Sequence, residues 1–317
     1  MRTSIQFLSQ IDQQKNDDAV LCSVCIATYR RPPLLERLLR SLENQILPQG
    51  LEMEVIIVDN DVDKSAEPIV SKFQNVARNR LSYFNQPLKN ISLTRNMAVE
   101  KASGEYILFI DDDEVASPQW LTYLMKTLDA FDADGVFGPV VPELSTKTPP
   151  WMRDLFYRYS SRTGGKAESK WTGNCILKAP LLKKMREPFD PRYGITGGED
   201  THLFDRLEQQ GARFVFCQEA WVSEYLPPSK TRPSSLFLRG LKGGNLHTRR
   251  VIEFAGAKRT PVRLFMIAKA LAFGTTSLAL MIGQFPITMH RAQWLMKFGS
   301  NIGRFLAAFG WHYKGYR

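Results

Sequence analysis

The chain contains 317 residues, of which 44% are hydrophobic and 23% are charged, and it has four cysteines. These values are typical of a globular protein, and they exclude a disordered tail, a collagen and a small disulfide-stapled fold. Met1–Val20 lacks the basic and then apolar pattern of a signal peptide, so the cytoplasm is the expected location. Residues 1–19 are predicted to form a flexible leader.

Positive charge is concentrated at the C-terminal end of the chain. The segment from Lys230 to Arg317 has 15 lysines and arginines and one acidic residue, Glu253, whereas residues 1–229 have 27 basic and 31 acidic residues. A basic segment on a mildly acidic body indicates that this segment alone meets a polyanionic partner. Nucleic acid and an anionic membrane surface are the two candidates.

The first half of the chain alternates short apolar runs with amphipathic segments. Strands are predicted at 21–27, 54–58, 81–85 and 106–110, and helices at 34–42, 69–80, 91–102 and 120–131. Continuous apolar strands alternating with helices predict a mainly parallel sheet that is covered on both faces. Ligands of such sheets bind beyond the carboxyl ends of the strands.

The second half begins with a Pro- and Gly-containing stretch, 143–170, which is predicted to be a loop or lid. A strand at 171–177, a helix at 201–210 and a last strand at 214–216 follow. After Pro227-Pro228 the composition becomes basic and apolar, so a boundary is expected there.

Three adjacent carboxylates, Asp111, Asp112 and Asp113, directly follow the strand at 106–110. They repel one another unless a cation or hydrogen-bond donors compensate. Oxygen ligands suit a hard divalent cation, Mg²⁺ or Mn²⁺, which binds substrate phosphates through one or two carboxylates. The alternative is an acidic loop or helix cap in which Asp112 and Glu114 face water.

Two further acidic positions suit a site. Asp59 ends the second strand, where a carboxylate can accept hydrogen bonds from a base or a ribose, or can simply cap a turn. Glu199 and Asp200 follow two glycines and open a helix, whose N-terminus would keep a carboxylate ionised as a base. Ordinary helix capping is the alternative there.

Several common sites are excluded by their missing signatures. The chain has no G-x-G-x-x-G after the first strand, no Walker A motif and no G-x-S-x-G elbow. Cys22 and Cys25 lack a second C-x-x-C, so core thiols are a better interpretation than a zinc site. The four histidines show no metal-ligand spacing.

Five motifs, taken in order, resemble the inverting family 2 glycosyltransferases with a GT-A fold. They are TYRRP from Thr28, IIVDND from Ile56, NISLTRN from Asn90, GEYILFIDDDE from Gly104 and GGEDT from Gly197. The set is most similar to the succinoglycan-type exopolysaccharide glucosyltransferase subgroup. The resemblance implies an α/β, Rossmann-like GT-A domain over 20–228, with a nucleotide-sugar half, 20–115, and an acceptor half, 116–228.

The resemblance also implies a role for each matching residue. Asp111 and Asp113 would hold Mn²⁺ or Mg²⁺, Asp200 would be the catalytic base, and Glu199 would hold sugar hydroxyls. Asp59 would bind uracil, and Arg95 would lie near the diphosphate. The residues implied to bind the nucleotide sugar are Thr28, Arg30, Asp59, Arg95, Asp111, Asp112, Trp171 and Asn174.

The basic segment 229–317 is predicted to be a helical, membrane-associating extension. Phe265–Ile287 is 23 residues long with one charge, Lys269, which is long enough as a helix for a hydrocarbon core of roughly 30 Å. Gly274, Gly283 and Pro286 weaken a full span, so the segment is expected to lie on or dip into the cytoplasmic leaflet of the inner membrane. A packed helix pair of the soluble body is the alternative.

Together these features predict an enzyme that moves one sugar, glucose, from a UDP-sugar to a lipid-linked or surface glycan, as in bacterial exopolysaccharide or lipopolysaccharide synthesis. The Q-x-x-R-W motif of the processive members of the resembled family is absent, which favours addition of a single sugar. The alternatives are a nucleic-acid-binding protein that uses its basic tail, and a non-catalytic sugar-nucleotide-binding protein. No nucleic acid partner is expected, because the basic excess is confined to an apolar tail.

Overall fold

A computed structural model describes residues 19–146, 148–282 and 289–315. Nearly all of the predicted leader, and the end of the apolar stretch 265–287, lie outside these residues. The chain forms two compact units: the first runs to Val140 and adds 158–189 and 203–223, and the second comprises 141–157, 190–202 and the chain from 224 onward. The expected boundary after 228 differs from this division. The segments 141–157 and 190–202 group with the C-terminal helices, and the last boundary falls at 224.

Ten strands contribute to the described fold. They are β1 (Val20–Thr28), β2 (Leu51–Asp59), β3 (Arg80–Asn85), β4 (Tyr106–Ile110), β5 (Glu114–Ala116), β6 (Gly135–Phe137), β7 (Val140–Leu144), β8 (Asn174–Lys178), β9 (Phe214–Phe216) and β10 (Val222–Leu226). Seven of them form the main sheet of the first unit, in the order β3-β2-β1-β4-β8-β6-β9.

The main sheet is mostly parallel, as its continuous apolar strands predict. Strands β1 to β4 pair in parallel, and β8 alone runs antiparallel to its neighbours β4 and β6. The predicted mainly parallel sheet is confirmed, whereas the reversed direction of β8 has no signal in an apolar run. Cys22 and Cys25 are buried on β1 as free thiols, which confirms the core interpretation.

Ten α-helices accompany the strands in the described residues. They are α1 (Pro32–Glu43), α2 (Glu67–Gln74), α3 (Ile91–Lys101), α4 (Trp120–Ala130), α5 (Met152–Phe156), α6 (Ala179–Lys183), α7 (Glu199–Gln209), α8 (Pro233–Phe254), α9 (Arg259–Ile282) and α10 (Met289–Ala308). Helix α1 shows why the pattern works: Pro32 starts it, and its leucine stripe at 35, 38, 39 and 42 is buried.

Helices α8 and α10 of the second unit pack backbone against backbone. Gly240 and Gly244 of α8 face carbonyl groups of α10, and Gly299 and Gly303 of α10 face carbonyl groups of α8. A Cβ atom at any of these four positions would collide with the facing carbonyl oxygen. Both helices thus use the G-x-x-x-G spacing that lets helix backbones approach closely.

Helix α9 packs against α10 but leaves much of its apolar surface uncovered. Leu264, Phe265, Leu271 and Phe273 are each more than half exposed, with relative accessibilities of 62%, 63%, 55% and 57%. Within the described residues, this is the one helical stretch, Gly256–Leu280, that could cross a membrane by its length and composition, with a mean hydropathy of 1.3. A single such helix is weak evidence for spanning.

Candidate active site

The carboxyl ends of three neighbouring strands bring the predicted donor-binding residues to one edge of the main sheet. Strands β1 and β2 pair in parallel, so Thr28 and Asp59 lie side by side at their ends. Strand β4 lies on the other side of β1 and leads directly into Asp111, Asp112 and Asp113. The sheet topology therefore collects residues that are more than 80 positions apart in the chain.

Asp112 is the buried centre of this edge. Its Oδ2 accepts a hydrogen bond from Thr28 Oγ1 at 2.9 Å, and its Oδ1 accepts one from Arg31 Nη1 at 3.0 Å. Burial raises the pKa of Asp112 to about 6, and the Arg31 charge opposes that rise. The acidic-loop alternative requires that Asp112 face water, and its burial contradicts that. With a pKa of about 6, the carboxyl group is mostly ionised at neutral pH.

Arg31 was given no role of its own in the TYRRP motif, yet it joins two of the three carboxylates. The same Nη1 that contacts Asp112 lies 3.1 Å from Asp113 Oδ2. The helix start at Pro32 fixes the backbone of Arg31 just outside α1, beside the end of β1. The adjacent pair Arg30-Arg31 was the available signal, because an acidic site in a parallel sheet needs compensating charge near its strand ends.

Arg95 compensates the remaining carboxylate. Its Nη2 lies 3.1 Å from Asp111 Oδ1, and its guanidinium lies 5.8 Å from the ring centre of Phe189. Asn90 positions Arg95 by capping α3, since its side chain accepts a hydrogen bond from the backbone nitrogen of Leu93. Arg95 thus lies beside the aspartates at this edge, and its place near a diphosphate stays a prediction.

Asp59 is fully buried and already engaged by its own loop. Its carboxylate accepts hydrogen bonds from the backbone nitrogens of Asp61 and Ala66, at 3.0 and 2.8 Å, and from the Tyr83 hydroxyl at 3.2 Å. Burial raises its pKa, and these hydrogen bonds oppose the rise. In this arrangement Asp59 shapes the loop after β2, and Tyr83 is a neighbour that sequence reasoning missed.

Arg30 points to that same loop rather than to the three aspartates. Its Nε lies 3.0 Å from Asp61 Oδ2, and its Nη2 lies 2.9 Å from Asp63 Oδ2. Its backbone φ is 55°, a left-handed conformation that turns the chain between β1 and α1. The side chain is more than half exposed, with 54% of its surface accessible.

Trp171 and Asn174 have different surroundings. Asn174 is fully buried: its Oδ1 accepts from Trp120 Nε1 at 2.7 Å, and its Nδ2 donates to the carbonyls of Pro139 and Ala220 at 3.0 and 2.7 Å. These contacts support a core position, which corrects the expected direct sugar contact. Trp171 Nε1, by contrast, is buried without a hydrogen-bond partner among the described residues.

Gly173 leaves space in front of the acidic edge. A Cβ atom at this position would lie 2.6 Å from Glu114 Oε1 and 3.0 Å from Asp111 Oδ2. Any larger residue would therefore fill the approach to these carboxylates. The sequence shows this glycine, but only the antiparallel pairing of β8 with β4 brings it there.

The acidic edge fits a divalent cation. Asp111, Asp112, Asp113 and Glu114 supply four carboxylates, and Arg31 and Arg95 supply two compensating charges. The side chain of Asp111 remains 34% exposed, so oxygen ligands are accessible. Hard oxygen donors are the ligands that Mg²⁺ and Mn²⁺ prefer.

Glu199 and Asp200 belong to the second unit, where they form the first turn of α7. Gly197 and Gly198 precede them with φ values of 79° and 87°, which only glycine adopts without strain. Glu199 is buried, whereas Asp200 is partly exposed and its Oδ1 accepts from the Thr201 backbone nitrogen at 2.6 Å. The helix begins two residues earlier than the predicted 201.

A cavity of about 220 Å³ adjoins this turn within the second unit. Its lining residues are Tyr193, Gly198, Thr201, His202, Gly243, Leu246, His247 and Arg250. Burial lowers the pKa of His247, and the charges of Arg304 and Arg250 lower it further. The second unit also places Asp190, His202 and Glu253 within 4.8 Å of one another, but Arg192 contacts both carboxylates.

Comparisons with known proteins identify relatives of this chain. The succinoglycan biosynthesis protein ExoM of Rhizobium meliloti is 30% identical over 274 residues, which cover 86% of this chain and 87% of ExoM. The GalNAc(5)-diNAcBac-PP-undecaprenol beta-1,3-glucosyltransferase of Campylobacter jejuni is 33% identical over 108 residues, or 33% of each chain. The structure of S. aureus TarS 1–349 in complex with UDP-GlcNAc aligns with a TM-score of 0.52 and 17% identity over 89% of each chain.

The TarS alignment shows the GT-A-like fold, a mostly parallel central sheet flanked by helices. The match to ExoM, at 30% identity over most of both chains, also shows membership of the same sequence family. The model of the family described as Glycosyl transferase family 2 matches residues 23–185, which include the β1, β2 and β4 strand ends. The chain therefore belongs to glycosyltransferase family 2, and it is a hexosyltransferase related to enzymes of exopolysaccharide and glycan synthesis.

Proposed function

We propose that this enzyme is a metal-dependent inverting glycosyltransferase that moves one glucose from UDP-glucose to a lipid-linked or surface glycan in bacterial exopolysaccharide or lipopolysaccharide synthesis. The observation that carries the proposal is the cluster of four carboxylates, Asp111 to Glu114, at the carboxyl edge of the main sheet, where Arg31 and Arg95 contact three of them. The names of two relatives, a succinoglycan biosynthesis protein and an undecaprenol-linked glucosyltransferase, support the pathway.

In this proposal the donor half of the site stabilises the negative charge of the nucleoside diphosphate. Asp111 and Asp113 would hold Mn²⁺ or Mg²⁺, which supplies charge stabilisation for the departing nucleoside diphosphate. Arg95 would bind the diphosphate, and Thr28 and Arg31 would hold Asp112 in place beneath it. Trp171 is proposed as a sugar contact, because its buried Nε1 lacks a protein partner among the described residues.

Asp200 is proposed as the catalytic base. A sugar hydroxyl is a poor nucleophile until a carboxylate takes its proton, and such a base contributes about 10²–10⁴ in rate. The partly exposed Asp200 at the start of α7 suits this role, and the buried Glu199 would orient sugar hydroxyls. A single displacement with one base inverts the anomeric centre and needs no carboxylate nucleophile.

The proposed location is the cytoplasmic face of the inner membrane. Helix α9 exposes Leu264, Phe265, Leu271 and Phe273, and 15 basic residues lie from Lys230 onward. Apolar surface combined with positive charge favours an anionic membrane surface. The same apolar surface makes a nucleic-acid-binding tail the weaker alternative, since phosphate backbones offer apolar side chains no partner.

Calorimetric titration with UDP-, GDP- and TDP-sugars, in Mn²⁺ and in EDTA, tests this proposal. Binding of one UDP-sugar is expected in Mn²⁺, with loss in EDTA and in Asp113→Asn. Asp132→Asn is the matched control, because the Asp132 side chain is 95% exposed and lies outside the site. If the folded protein binds no nucleotide sugar, the proposal is wrong, and equal binding in EDTA would contradict the metal requirement.

A further inference from the structure

A second cavity in the second unit, called the helical unit below, has arginine as its most frequent lining residue. It has a volume of about 290 Å³ and is lined by Arg192, Arg249, Ile252, Glu253, Arg259, Arg263, Ala307, Gly310 and His312. Arg192 belongs to the segment 190–202, and the other lining residues come from the C-terminal half of α8, the first turns of α9, and the end of α10 with the residues that follow it. The cavity is separate from the residues that line the Asp200 side of the unit.

The charges around this cavity do not cancel. Glu253 and Asp190 are both engaged by Arg192, whose Nη2 lies 2.9 Å from Glu253 and 2.6 Å from Asp190. The charge of Arg192 is therefore neutralised by these two ion pairs. Glu253 also accepts a hydrogen bond from the Tyr193 hydroxyl.

Arg249 is held in place by uncharged groups. Its Nη1 donates to Thr196 Oγ1 at 2.8 Å, its Nη2 donates to the Arg192 carbonyl at 3.2 Å, and its guanidinium lies 3.7 Å from the ring centre of Tyr193. Its position is thus fixed, while none of these contacts is an ion pair. A fixed guanidinium without a carboxylate is suited to a charged ligand.

Arg259 and Arg263 are one helical turn apart at the start of α9. Both are exposed, and neither has a hydrogen bond or an ion pair within the described ranges. His312 lies on the same wall, with a buried Nδ1 that has no partner among the described residues. Burial lowers the pKa of His312, the charge of Arg249 lowers it further, and the charge of Glu253 opposes both.

We propose that this arginine cavity binds the phosphate groups of the lipid-linked acceptor. The proposal rests on the proposed function. Three guanidinium groups without carboxylate partners suit an anion of high charge density, and arginine pairs with phosphate through two parallel hydrogen bonds. A water molecule occupies about 30 Å³ of the liquid, so the cavity has the volume of several water molecules. That volume is enough for the two phosphate groups of a diphosphate.

The neighbouring surface favours a lipid as the source of that phosphate. Arg263 is followed at once by Leu264 and Phe265, which are 62% and 63% exposed, and the apolar surface of α9 continues from there. A phosphate bound by Arg259 and Arg263 would therefore have its hydrocarbon chain beside an apolar helix. A free phosphate or a nucleotide would gain nothing from this surface.

Flotation with vesicles tests the proposal. The full chain is mixed with phosphatidylcholine vesicles that contain polyprenyl diphosphate, and with vesicles that contain phosphatidylglycerol at the same surface charge. Tighter binding to the diphosphate vesicles is expected. Arg259→Gln and Arg263→Gln should each weaken that binding about tenfold, the value of one charge-assisted hydrogen bond, and Arg263→Lys should weaken it less.

Lys258→Gln is the matched control, because Lys258 is exposed, adjoins Arg259 and does not line the cavity. Equal losses in Lys258→Gln, or equal binding to both kinds of vesicle, would show a general basic surface and overturn the proposal. Inorganic pyrophosphate that binds as tightly as the lipid would overturn the assignment to a lipid. Nucleotide-sugar binding is measured on the same samples, so a failed lipid site and a failed transferase give different results.

Discussion

Arg31 donates to Asp113 Oδ2 at 3.1 Å, although Asp113 is the carboxylate that would hold the metal ion. The same guanidinium nitrogen contacts Asp112. Arg31 therefore restrains a proposed ligand from outside the coordination sphere. Residues that orient metal ligands in this way are usually worth 10-fold to about 100-fold in activity or metal affinity.

We expect Arg31→Gln to lower kcat/KM with the nucleotide sugar by about 10-fold to 100-fold, because the amide removes the charge that aligns Asp112 and Asp113. Arg31→Lys should retain part of the activity. The measurement is initial rate against Mn²⁺ concentration. Arg40→Gln serves as the control, because Arg40 lies on α1, forms its ion pair with Glu36, and has its guanidinium 5.5 Å from the ring centre of Phe73. Full activity in Arg31→Gln would contradict the positioning role.

Asp200→Asn should abolish proton abstraction while leaving the donor site intact. We expect kcat to fall by about 10²–10⁴ with little change in the Kd of the nucleotide sugar. Transfer assays and calorimetry on the same variant separate the two quantities. Asp154→Asn, an exposed acidic position in α5 of the same unit, should behave like the unmodified enzyme. A variant that loses donor binding but keeps its rate at saturation would place Asp200 elsewhere in the mechanism.

Gly303→Ala should destabilise the helical unit, because its new methyl group would collide with the Leu241 carbonyl of α8. Overpacking of this kind costs about 1–3 kcal/mol of the free energy of unfolding. Gly274→Ala on α9 is the control, since the nearest atom to its added Cβ is 3.7 Å away. That variant should be neutral or more stable by up to about 1 kcal/mol. Urea unfolding followed by circular dichroism measures both, and equal stabilities would argue against the close approach.

Glu54 predicts a loss of stability in acid. Burial alone would raise its pKa, but hydrogen bonds from Ser103 and Ser23 outweigh burial and lower the pKa below its ordinary value of 4.5. The folded state therefore binds this proton less tightly than the unfolded state does. Its contribution is present above pH 4.5 and is lost as the pH falls through the lowered pKa.

Glu54→Gln tests this linkage, because the amide cannot ionise. The free energy of unfolding should lose part of its slope in the acid range, and at pH 7 it should fall by about 1–3 kcal/mol, since the paired carboxylate is gone. Glu52→Gln, an exposed position on the same strand, should keep the original slope. An unchanged slope in Glu54→Gln would show that other carboxylates dominate acid unfolding.

The sheet could be predicted from the sequence because its strands are buried on both faces and therefore continuous in apolar residues. Helix α2 was harder: the expected helix over 69–80 ends at Gln74, and β3 begins at Arg80. The intervening residues, 75–79, are mostly polar, and propensity alone does not place the end of a short helix. The division into two units also had no composition signal at 141 or 190.

The site also contains residues that the sequence predicted and residues that it did not. The aspartates were predictable because each follows a strand without a spacer, and parallel pairing then brings them together. Asn174 was not, because its position in a strand says nothing about the partners of its amide, which come from Trp120, Pro139 and Ala220. Arg31 and Gly173 depend on contacts between distant segments, and no local pattern reports those.

The four glycines between α8 and α10 determine what kind of interface these helices share. Because backbone atoms touch there, the separation of the two helices is set by atomic radii and not by a choice of side-chain rotamers. Such a contact has no alternative packing of similar energy to relax into. The helical unit is therefore expected to keep the same geometry when α9 meets lipid. A bound lipid would then adapt its hydrocarbon chain to the protein surface, and the helices would not rearrange around the lipid.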